Sequence, residues 1–199
     1  GGNNPTFGAT SLDGPITLST GTATFNVTTA ATLTLNGIID GDQALTRTGV
    51  GTLILANANT YPGNTIVSGG KLLVNGSFAS SSAVAVNSGG TLGGSGTITG
   101  AVTVASGGTV SPGSSPGVLN TGNLSFASGS TYVVEVNGTT NGSFDQLNVT
   151  GTVSLGNATL SLSGSITSGA ILPIVIISND GQDPVTQTFN NLPEGAIVA

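Results

Sequence analysis

A repeat of about 20 residues is the feature that most constrains how this chain can fold. Residues 83–92 read AVAVNSGGTL and residues 101–110 read AVTVASGGTV, so the valines, the paired glycines and the last apolar residue recur 18 positions later. Residues 65–72, TIVSGGKL, carry the same unit one step earlier. A unit this short cannot fold alone, and it predicts one coil of a parallel β-solenoid, in which stacked coils share a core.

Within each repeat, apolar residues alternate with polar ones, which is the pattern of short strands. Eight triplets place two side chains on one face of a strand. They are Leu53-x-Leu55, Thr65-x-Val67, Leu72-x-Val74, Val84-x-Val86, Val102-x-Val104, Leu147-x-Val149, Val153-x-Leu155 and Leu160-x-Leu162. Gly, Asn or Ser-Gly follows each triplet within a few residues and predicts a turn. Helix is disfavoured because Gly, Ser, Thr and Asn recur throughout the chain.

We therefore predict an all-β fold, a parallel β-solenoid. Dividing 199 residues by the repeat length predicts about ten coils and a rod about 50 Å long. Small apolar residues should fill the thin interior, and Thr, Ser and Asn should face outward and pair with their equivalents on neighbouring coils. The paired glycines at the corners permit positive φ and close approach of stacked turns.

The composition excludes several classes of function. The chain has two basic and eight acidic residues, and no His or Cys. Imidazole bases, thiol nucleophiles, the usual zinc sites and disulfides are therefore excluded. The basic residues, Arg47 and Lys71, cannot neutralise a phosphate backbone on a chain of net charge −6, so nucleic acid is not an expected partner.

The sequence also bears on the cellular context. The longest apolar run, around Ile171–Ile177, contains Pro173 and is shorter than the roughly 18 residues that span a bilayer, so we expect no membrane insertion by this segment. Because the sequence begins with Gly1 rather than Met, we expect a processed product or a segment of a longer chain. Scarce Lys and Arg with abundant Thr, Asn and Gly favour an extracellular surface protein.

The most distinctive motif lies at residues 41–76, which read GDQALTRTGVGTLILANANTYPGNTIVSGGKLLVNG. This segment closely resembles the passenger-associated β-strand repeat of bacterial autotransporters and related surface proteins. The family pattern is Lys/Arg-Thr-Gly, Gly-Thr-Leu-x-Leu, Asn-Thr-Tyr-x-Gly, Thr-x-Val and Gly-x-Leu-x-Val. The positions that fall on it are Arg47, Gly51, Leu53, Leu55, Asn59, Tyr61, Gly63, Val67, Gly70, Leu72 and Val74.

The resemblance extends more weakly toward the C-terminus. Residues 89–164, with SPGSSPG at 111–117, look like the membrane-proximal passenger region of such proteins, and FNNLPEGA at 189–196 is similar to the last passenger coils. The resemblance implies a right-handed parallel β-helix displayed outside a bacterial cell as a stalk, adhesin or fibre component. It implies no catalytic residues.

The predicted organisation is a single β-solenoid domain over residues 1–199. Its parts are N-terminal coils at 1–40, the best-matching passenger repeat at 41–76, regular coils at 77–164 and C-terminal coils at 165–199. We find no cap for either end: residues 1–8 are irregular, and the apolar stretches 171–177 and 189–198 continue nearly to the last residue. Uncapped coils can pair with another copy, which predicts head-to-tail polymerisation.

Few residues are candidates for chemistry. Asp40 and Asp42 could offer oxygen ligands to Ca²⁺, but two carboxylates without a repeated calcium motif are few, so an ordinary turn is preferred. Ser80–Ser82 offers hydroxyl groups with no base beside them in any motif. Seven Asn-x-Ser/Thr triplets are attributed to chance in so Asn-rich a chain; they begin at Asn26, Asn75, Asn123, Asn137, Asn141, Asn148 and Asn157.

Two pairs of residues bear on carbohydrate chemistry. Glu135 and Asp145 could approach one another across a coil, and polysaccharide-degrading β-helices need clustered carboxylates, often beside Arg or Lys. A solvated surface role is nevertheless preferred for both residues. Tyr61 and Tyr132 are expected to pack inside the fold rather than to stack on sugars.

The sequence thus predicts a non-enzymatic structural rod or fibre component, extracellular or at a bacterial cell surface, with no catalytic, cofactor-binding or metal-binding residues. The expected partners are other copies of the chain or adjacent coils of a longer parent chain, with host or matrix glycans as further candidates. Two alternatives stay open. One is an adhesin or carbohydrate-binding module that uses exposed Asn and Thr, and the other is a polysaccharide-degrading enzyme.

Overall fold

The computed structural model describes residues 10–19, 21–28, 30–79, 82–165 and 173–193. These ranges contain 22 strands and no helix, which confirms the all-β prediction. In chain order the strands are β1 (Thr10–Leu12), β2 (Ile16–Leu18), β3 (Ala23–Val27), β4 (Thr32–Leu35), β5 (Ile39–Gly41), β6 (Leu45–Gly49), β7 (Thr52–Leu55), β8 (Thr65–Val67), β9 (Gly70–Val74), β10 (Val84–Val86), β11 (Gly90–Gly94), β12 (Thr97–Ile98), β13 (Val102–Val104), β14 (Thr109–Pro112), β15 (Val118–Thr121), β16 (Leu124–Phe126), β17 (Thr131–Glu135), β18 (Gln146–Val149), β19 (Val153–Ser154), β20 (Thr159–Ser163), β21 (Ile177–Asn179) and β22 (Val185–Thr186). A helix long and apolar enough to cross a membrane does not occur in the described ranges.

The strands stack into parallel sheets. The first sheet has the order β1-β4-β7-β9-β11-β14-β17-β20, and the second sheet has the order β3-β6-β8-β10-β13-β16-β19-β22. A third sheet contains β12-β15-β18-β21, and β2 pairs with β5. Every pairing within these sheets is parallel. The chain thus returns to the same sheet once per coil, as the predicted parallel β-solenoid requires.

The predicted number of coils is wrong. Each long sheet contains eight strands in the described residues, fewer than the ten or so expected coils. The repeat is 18 residues where Val84 pairs with Val102, but it lengthens to 28 where Thr131 pairs with Thr159. Inserted loops add residues without adding a coil, so a count based on the short repeat is too high.

Columns of apolar side chains form the core between the sheets. In the first sheet Leu33, Leu53, Leu72 and Leu92 pair in succession from coil to coil, and all four are fully buried. Burying one such side chain contributes about 1.5–3 kcal/mol to folding. The alternation expected for the Leu-x-Leu and Val-x-Val triplets therefore directs these residues inward.

The outward positions of the first sheet carry a row of hydroxyl side chains, here called the threonine row. Its members, paired coil to coil, are Thr32, Thr52, Lys71, Thr91, Thr109, Thr131 and Thr159. Lys71 is the one member of this row that is not a threonine. The row confirms the expectation that threonines face outward beside their equivalents.

A charged side chain lies inside the rod. Arg47 in β6 is fully buried, and its guanidinium donates hydrogen bonds to the carbonyl oxygens of Thr48, Gly49 and Gly51. Burial lowers the pKa of Arg47. Carbonyl oxygens at the end of β6 and in the turn after it thus replace water around this cation, which is otherwise costly to bury.

Substitutions in β10 test the direction of its side chains. Val86→Asp should lower the free energy of unfolding by several kcal/mol, because Val86 is fully buried and the new carboxylate would be unpaired. Ala85→Asp on the outward face should cost under about 1 kcal/mol. Urea-induced unfolding measures both. Equal losses would contradict the observed register of this strand.

Alanine at Gly70 should destabilise the protein more than alanine at Gly89. Both glycines have positive φ, 57° and 81°, so backbone strain is common to the two variants. A Cβ at Gly70 would collide with the Arg47 guanidinium and the Gly51 carbonyl oxygen, whereas a Cβ at Gly89 would face open space. In urea-induced unfolding we expect an additional loss of about 1–3 kcal/mol for Gly70→Ala. Identical losses would show that the turn around Arg47 adjusts freely.

Candidate functional site

A small cleft lies on the outer face of the first sheet, beside the loop that follows β14. Its volume is about 110 Å³. The residues with polar side chains that line it are Lys71, Ser111, Ser114, Ser115, Glu135, Asp145 and Ser163. We call this feature the charged cleft, because it combines one ammonium group, two carboxylates and several hydroxyl groups.

Two departures from the regular coil shape the charged cleft. Gly93 pairs with Leu73 on one side and Ser111 on the other, and it presents no side chain of its own. A Cβ at Gly93 would lie 3.5 Å from Cε of Lys71, so the lysine side chain extends beside this glycine. The loop at 113–117 forms another part of the lining, and in it Ser115 has a φ of 118°, rare for a residue with a side chain.

Asp145 ties this loop to β17. Its Oδ1 accepts a hydrogen bond from the Gly117 amide at 2.8 Å, and its Oδ2 accepts one from the Glu135 amide at 2.9 Å. The side chain is only 2% exposed, and burial raises the pKa of its carboxyl group. The expectation of a solvated surface role is therefore wrong for Asp145, which positions two backbone segments.

Glu135 lies beside Asp145 with its carboxylate in solvent. It accepts hydrogen bonds from the Ser115 hydroxyl and, at 2.7 Å, from the Asn137 side-chain amide. These two bonds, the one from Ser115 first, lower the pKa of Glu135. A carboxylate with a lowered pKa is a weak general base, and both oxygens of Asp145 hold backbone amides, so the arrangement favours binding over proton transfer.

The structure brings together the two carboxylates singled out in the sequence, and it adds two residues that sequence reasoning missed. Lys71 was noted only as a basic residue, and Ser115 only as part of the SPGSSPG segment. The positive charge of Lys71 acts on Asp145 and lowers its pKa, a smaller effect than burial. The interruption of the threonine row at Lys71 is the sequence signal that could have indicated this site.

The aspartates considered as calcium ligands and the serines considered for their hydroxyl groups have surroundings that differ from those of the charged cleft. Asp40 belongs to β5, and its Oδ1 is buried without a hydrogen-bond partner among the described residues, whereas Asp42 is exposed. In the described ranges no group of three or more His, Cys, Asp or Glu residues could hold a metal ion. Ser82 is buried and donates a hydrogen bond to the Tyr61 carbonyl oxygen at 2.6 Å; residues 80–81 lie outside the described residues.

Both tyrosines pack inside the rod, as predicted. The Tyr61 hydroxyl lies 2.6 Å from the Thr65 hydroxyl, and the Tyr132 hydroxyl donates to the Ile176 carbonyl oxygen at 2.7 Å. Burial raises the pKa of both phenols. Neither ring offers a face to a sugar.

Asparagines on the surface connect neighbouring coils. The Asn75 side-chain oxygen accepts the Ser95 amide at 3.3 Å, and the Asn123 side-chain oxygen accepts the Thr152 amide at 3.0 Å. Three of the Asn-x-Ser/Thr triplets, those at Asn75, Asn123 and Asn137, thus begin with an asparagine whose side-chain oxygen accepts an amide one coil away. These contacts provide a structural reason for asparagine at such corners.

Residues 45–74 match the model of the family described as the passenger-associated-transport-repeat. The chain carries an autotransporter passenger repeat. A stretch of 68 residues is also 48% identical to the Adhesin BmaC autotransporter of Brucella suis biovar 1 (strain 1330). This match covers 34% of the chain and 2% of that protein, so the chain spans a small part of the relative's length. The similarity implies an extracellular or cell-surface location.

The passenger repeat builds the core and the contacts between coils. Arg47 and Tyr61 are fully buried, and the side-chain oxygen of buried Asn59 accepts the Ile39 amide of the preceding coil at 3.0 Å. Lys71 is the one residue of the repeat that contributes to the charged cleft. The motif therefore indicates how the coils stack. The other residues that line the charged cleft belong to later coils.

The pKa values of the two carboxyl groups of the charged cleft should be shifted in opposite directions. Glutamate ordinarily has the higher pKa, but here hydrogen bonds lower the pKa of Glu135 and burial raises the pKa of Asp145. We expect Glu135 to titrate below the ordinary pKa of glutamate and Asp145 above the ordinary pKa of aspartate when the side-chain carboxyl carbons are followed by NMR. Ser115→Ala should raise the pKa of Glu135 toward its ordinary value while the pKa of Asp145 stays raised. A Glu135 pKa at or above the ordinary value for glutamate, or an Asp145 pKa at or below the ordinary value for aspartate, would contradict this account.

Proposed function

We propose that this chain is a non-catalytic segment of a surface-displayed rod, which spaces or presents other parts of an autotransporter passenger. The observation that carries the proposal is the continuous parallel register of the two long sheets over eight coils. A stack of this kind is built to be long, because each coil contacts only its neighbours and more coils can be added at its ends. The passenger repeat and the similarity to an autotransporter adhesin support this role.

Open strand edges support the further proposal that the rod continues by stacking. In the described residues β20, β21 and β22 each end a sheet. Leu162 in β20 is 41% exposed and Val185 in β22 is 50% exposed. Unpaired backbone groups beside exposed apolar side chains are suited to pairing with another coil.

The C-terminal end is partly covered, in contrast to the expectation of no cap. The Phe189 ring stacks on the Tyr132 ring with centroids 6.2 Å apart, and the Asn190 amide donates to the Ala158 carbonyl oxygen at 2.7 Å. The irregular N-terminal segment and the last apolar residues, for which no cap was expected, fall in residues 1–9 and 194–199 and lie outside the described residues. Phe189 covers the core beside Tyr132, while Leu162 and Val185 stay exposed.

A coil added to this end completes the hydrogen bonds of β20 and β22. Adjacent coils of a longer parent chain provide one such partner, and a second copy provides another by head-to-tail stacking. The low charge of the chain favours either pairing, because few like charges oppose each other at the contact.

Charges placed on the open edge test head-to-tail stacking. Sedimentation velocity of the 199-residue chain at rising concentration should show growing assemblies. Leu162→Lys/Val185→Lys should reduce them, because two ammonium groups would oppose pairing at the edge. The matched control Ile38→Lys/Val50→Lys changes two other exposed apolar residues, 42% and 72% exposed, and should assemble like the parent. A parent chain that stays monomeric at every concentration, or equal effects of both pairs, would contradict the polymerising fibre.

Adhesion is the second candidate function. The similarity to an adhesin supports it. The threonine row and the asparagines at the corners present hydroxyl and amide groups at regular spacing along the rod. A passenger can combine this role with spacing, because binding groups on the outer face leave the core unchanged.

A further inference from the structure

We propose that the charged cleft binds a single neutral sugar residue of a glycan. This inference goes beyond the mechanical role of the rod and does not depend on head-to-tail stacking. It assigns binding to a defined set of groups, namely Lys71, Ser111, Ser115 and Glu135.

The placement of Lys71 is not required by the fold. Threonine occupies the other six paired positions of the threonine row, including Thr52 and Thr91 on the flanking strands. A threonine at position 71 would therefore be compatible with the fold of the coil too. The lysine side chain instead extends beside Gly93 toward the cleft, where the missing side chain leaves room for it.

Lys71 is also free to contact a ligand. Arg47, the other basic residue, is fully buried, so Lys71 is the basic group that a ligand in solution can reach. In the described part of the chain the Lys71 ammonium makes no hydrogen bond or salt bridge, although it lines the same cleft as Glu135 and Asp145. Among the described residues, a donor of three hydrogen bonds thus lines the cleft without a hydrogen-bond acceptor.

Hydrogen-bond acceptors also remain available in the charged cleft, on the Glu135 carboxylate. Each Glu135 carboxylate oxygen accepts one hydrogen bond, from Ser115 or from Asn137. An ionised carboxylate offers about four lone-pair sites, so roughly two remain for a ligand. The lowered pKa keeps Glu135 ionised, which makes these hydrogen bonds charge-assisted.

The mixed lining selects a neutral polyhydroxylated group. A sugar hydroxyl both donates and accepts, so one sugar can donate to Glu135 and accept from Lys71 and from the serines. A simple anion would face the two carboxylates, and a simple cation would face Lys71. A cleft volume of about 110 Å³ suits contact with one sugar ring.

Binding at a single cleft should be weak. Tyr61 and Tyr132 are buried, so neither provides a stacking face and the contact depends on hydrogen bonds exchanged with water. A dissociation constant of about 1 mM is expected for such a contact. Many rods on one surface would raise the effective affinity through multivalency.

The test is an NMR titration of backbone amides in the 199-residue chain with glucose, galactose, mannose or N-acetylglucosamine, and with glycine as a zwitterionic comparison. We expect saturable shifts at Gly93, Ser111 and Glu135 with at least one sugar. Lys71→Thr restores the residue found elsewhere in the row, so it should fold, and it should weaken binding about tenfold, as loss of one charge-assisted hydrogen bond implies. Glu135→Gln should weaken binding as well.

A charge-matched control separates the site from a general effect of charge. Thr52→Lys/Lys71→Thr keeps the net charge and moves the lysine to the paired position one coil away, and it should not restore binding. Absence of saturable shifts with all four sugars would overturn the proposal. So would sugar binding that Lys71→Thr leaves unchanged, or saturable binding of glycine alone. Each of these results is independent of sedimentation, so the proposed rod function is judged separately.

Discussion

Backbone hydrogen bonding between successive coils is the interaction on which the structure depends. The Leu45 amide donates to the Asn64 carbonyl oxygen of the next coil at 3.0 Å, and the Thr65 amide donates to Ala83 at 2.9 Å. These bonds run along the rod, so a coil satisfies its backbone groups only through its neighbours. Stability is therefore cooperative along the stack, and the last strands leave edges that another coil can pair with.

The parallel register of the strands also constrains which side chains are buried. Because each strand pairs in parallel with its equivalent, a buried position stays buried from coil to coil, as Leu53 and Leu72 show. Buried positions still vary in side-chain type, as the paired Phe25, Arg47 and Val67 show, while exchanges at outward positions and insertions in loops leave the core unchanged. The charged cleft combines both kinds, since Lys71 replaces a threonine on the sheet and Ser115 belongs to an inserted loop.

This division of roles relates the passenger repeat to the proposed functions. Its most distinctive residues, Arg47, Asn59 and Tyr61, are buried and maintain the stacking of coils. The repeat thus explains how the coils form a rod. Recognition of a ligand depends instead on groups that the rod positions on its surface. In the charged cleft, Asp145 holds two backbone segments in place, and Glu135 and Lys71 are left to face a ligand.

Sequence alone determined the parallel solenoid and the inward direction of residues such as Val84 and Val86, because alternation within a strand and recurrence after 18 residues are local patterns. It indicated that Glu135 and Asp145 could meet, but it placed Asp145 in solvent and left Lys71 out of the site. Only the tertiary structure decided the number of coils and the composition of the cleft. The reason is that inserted loops of different length set which residues face one another, and loop length does not show how a loop folds back on the sheet.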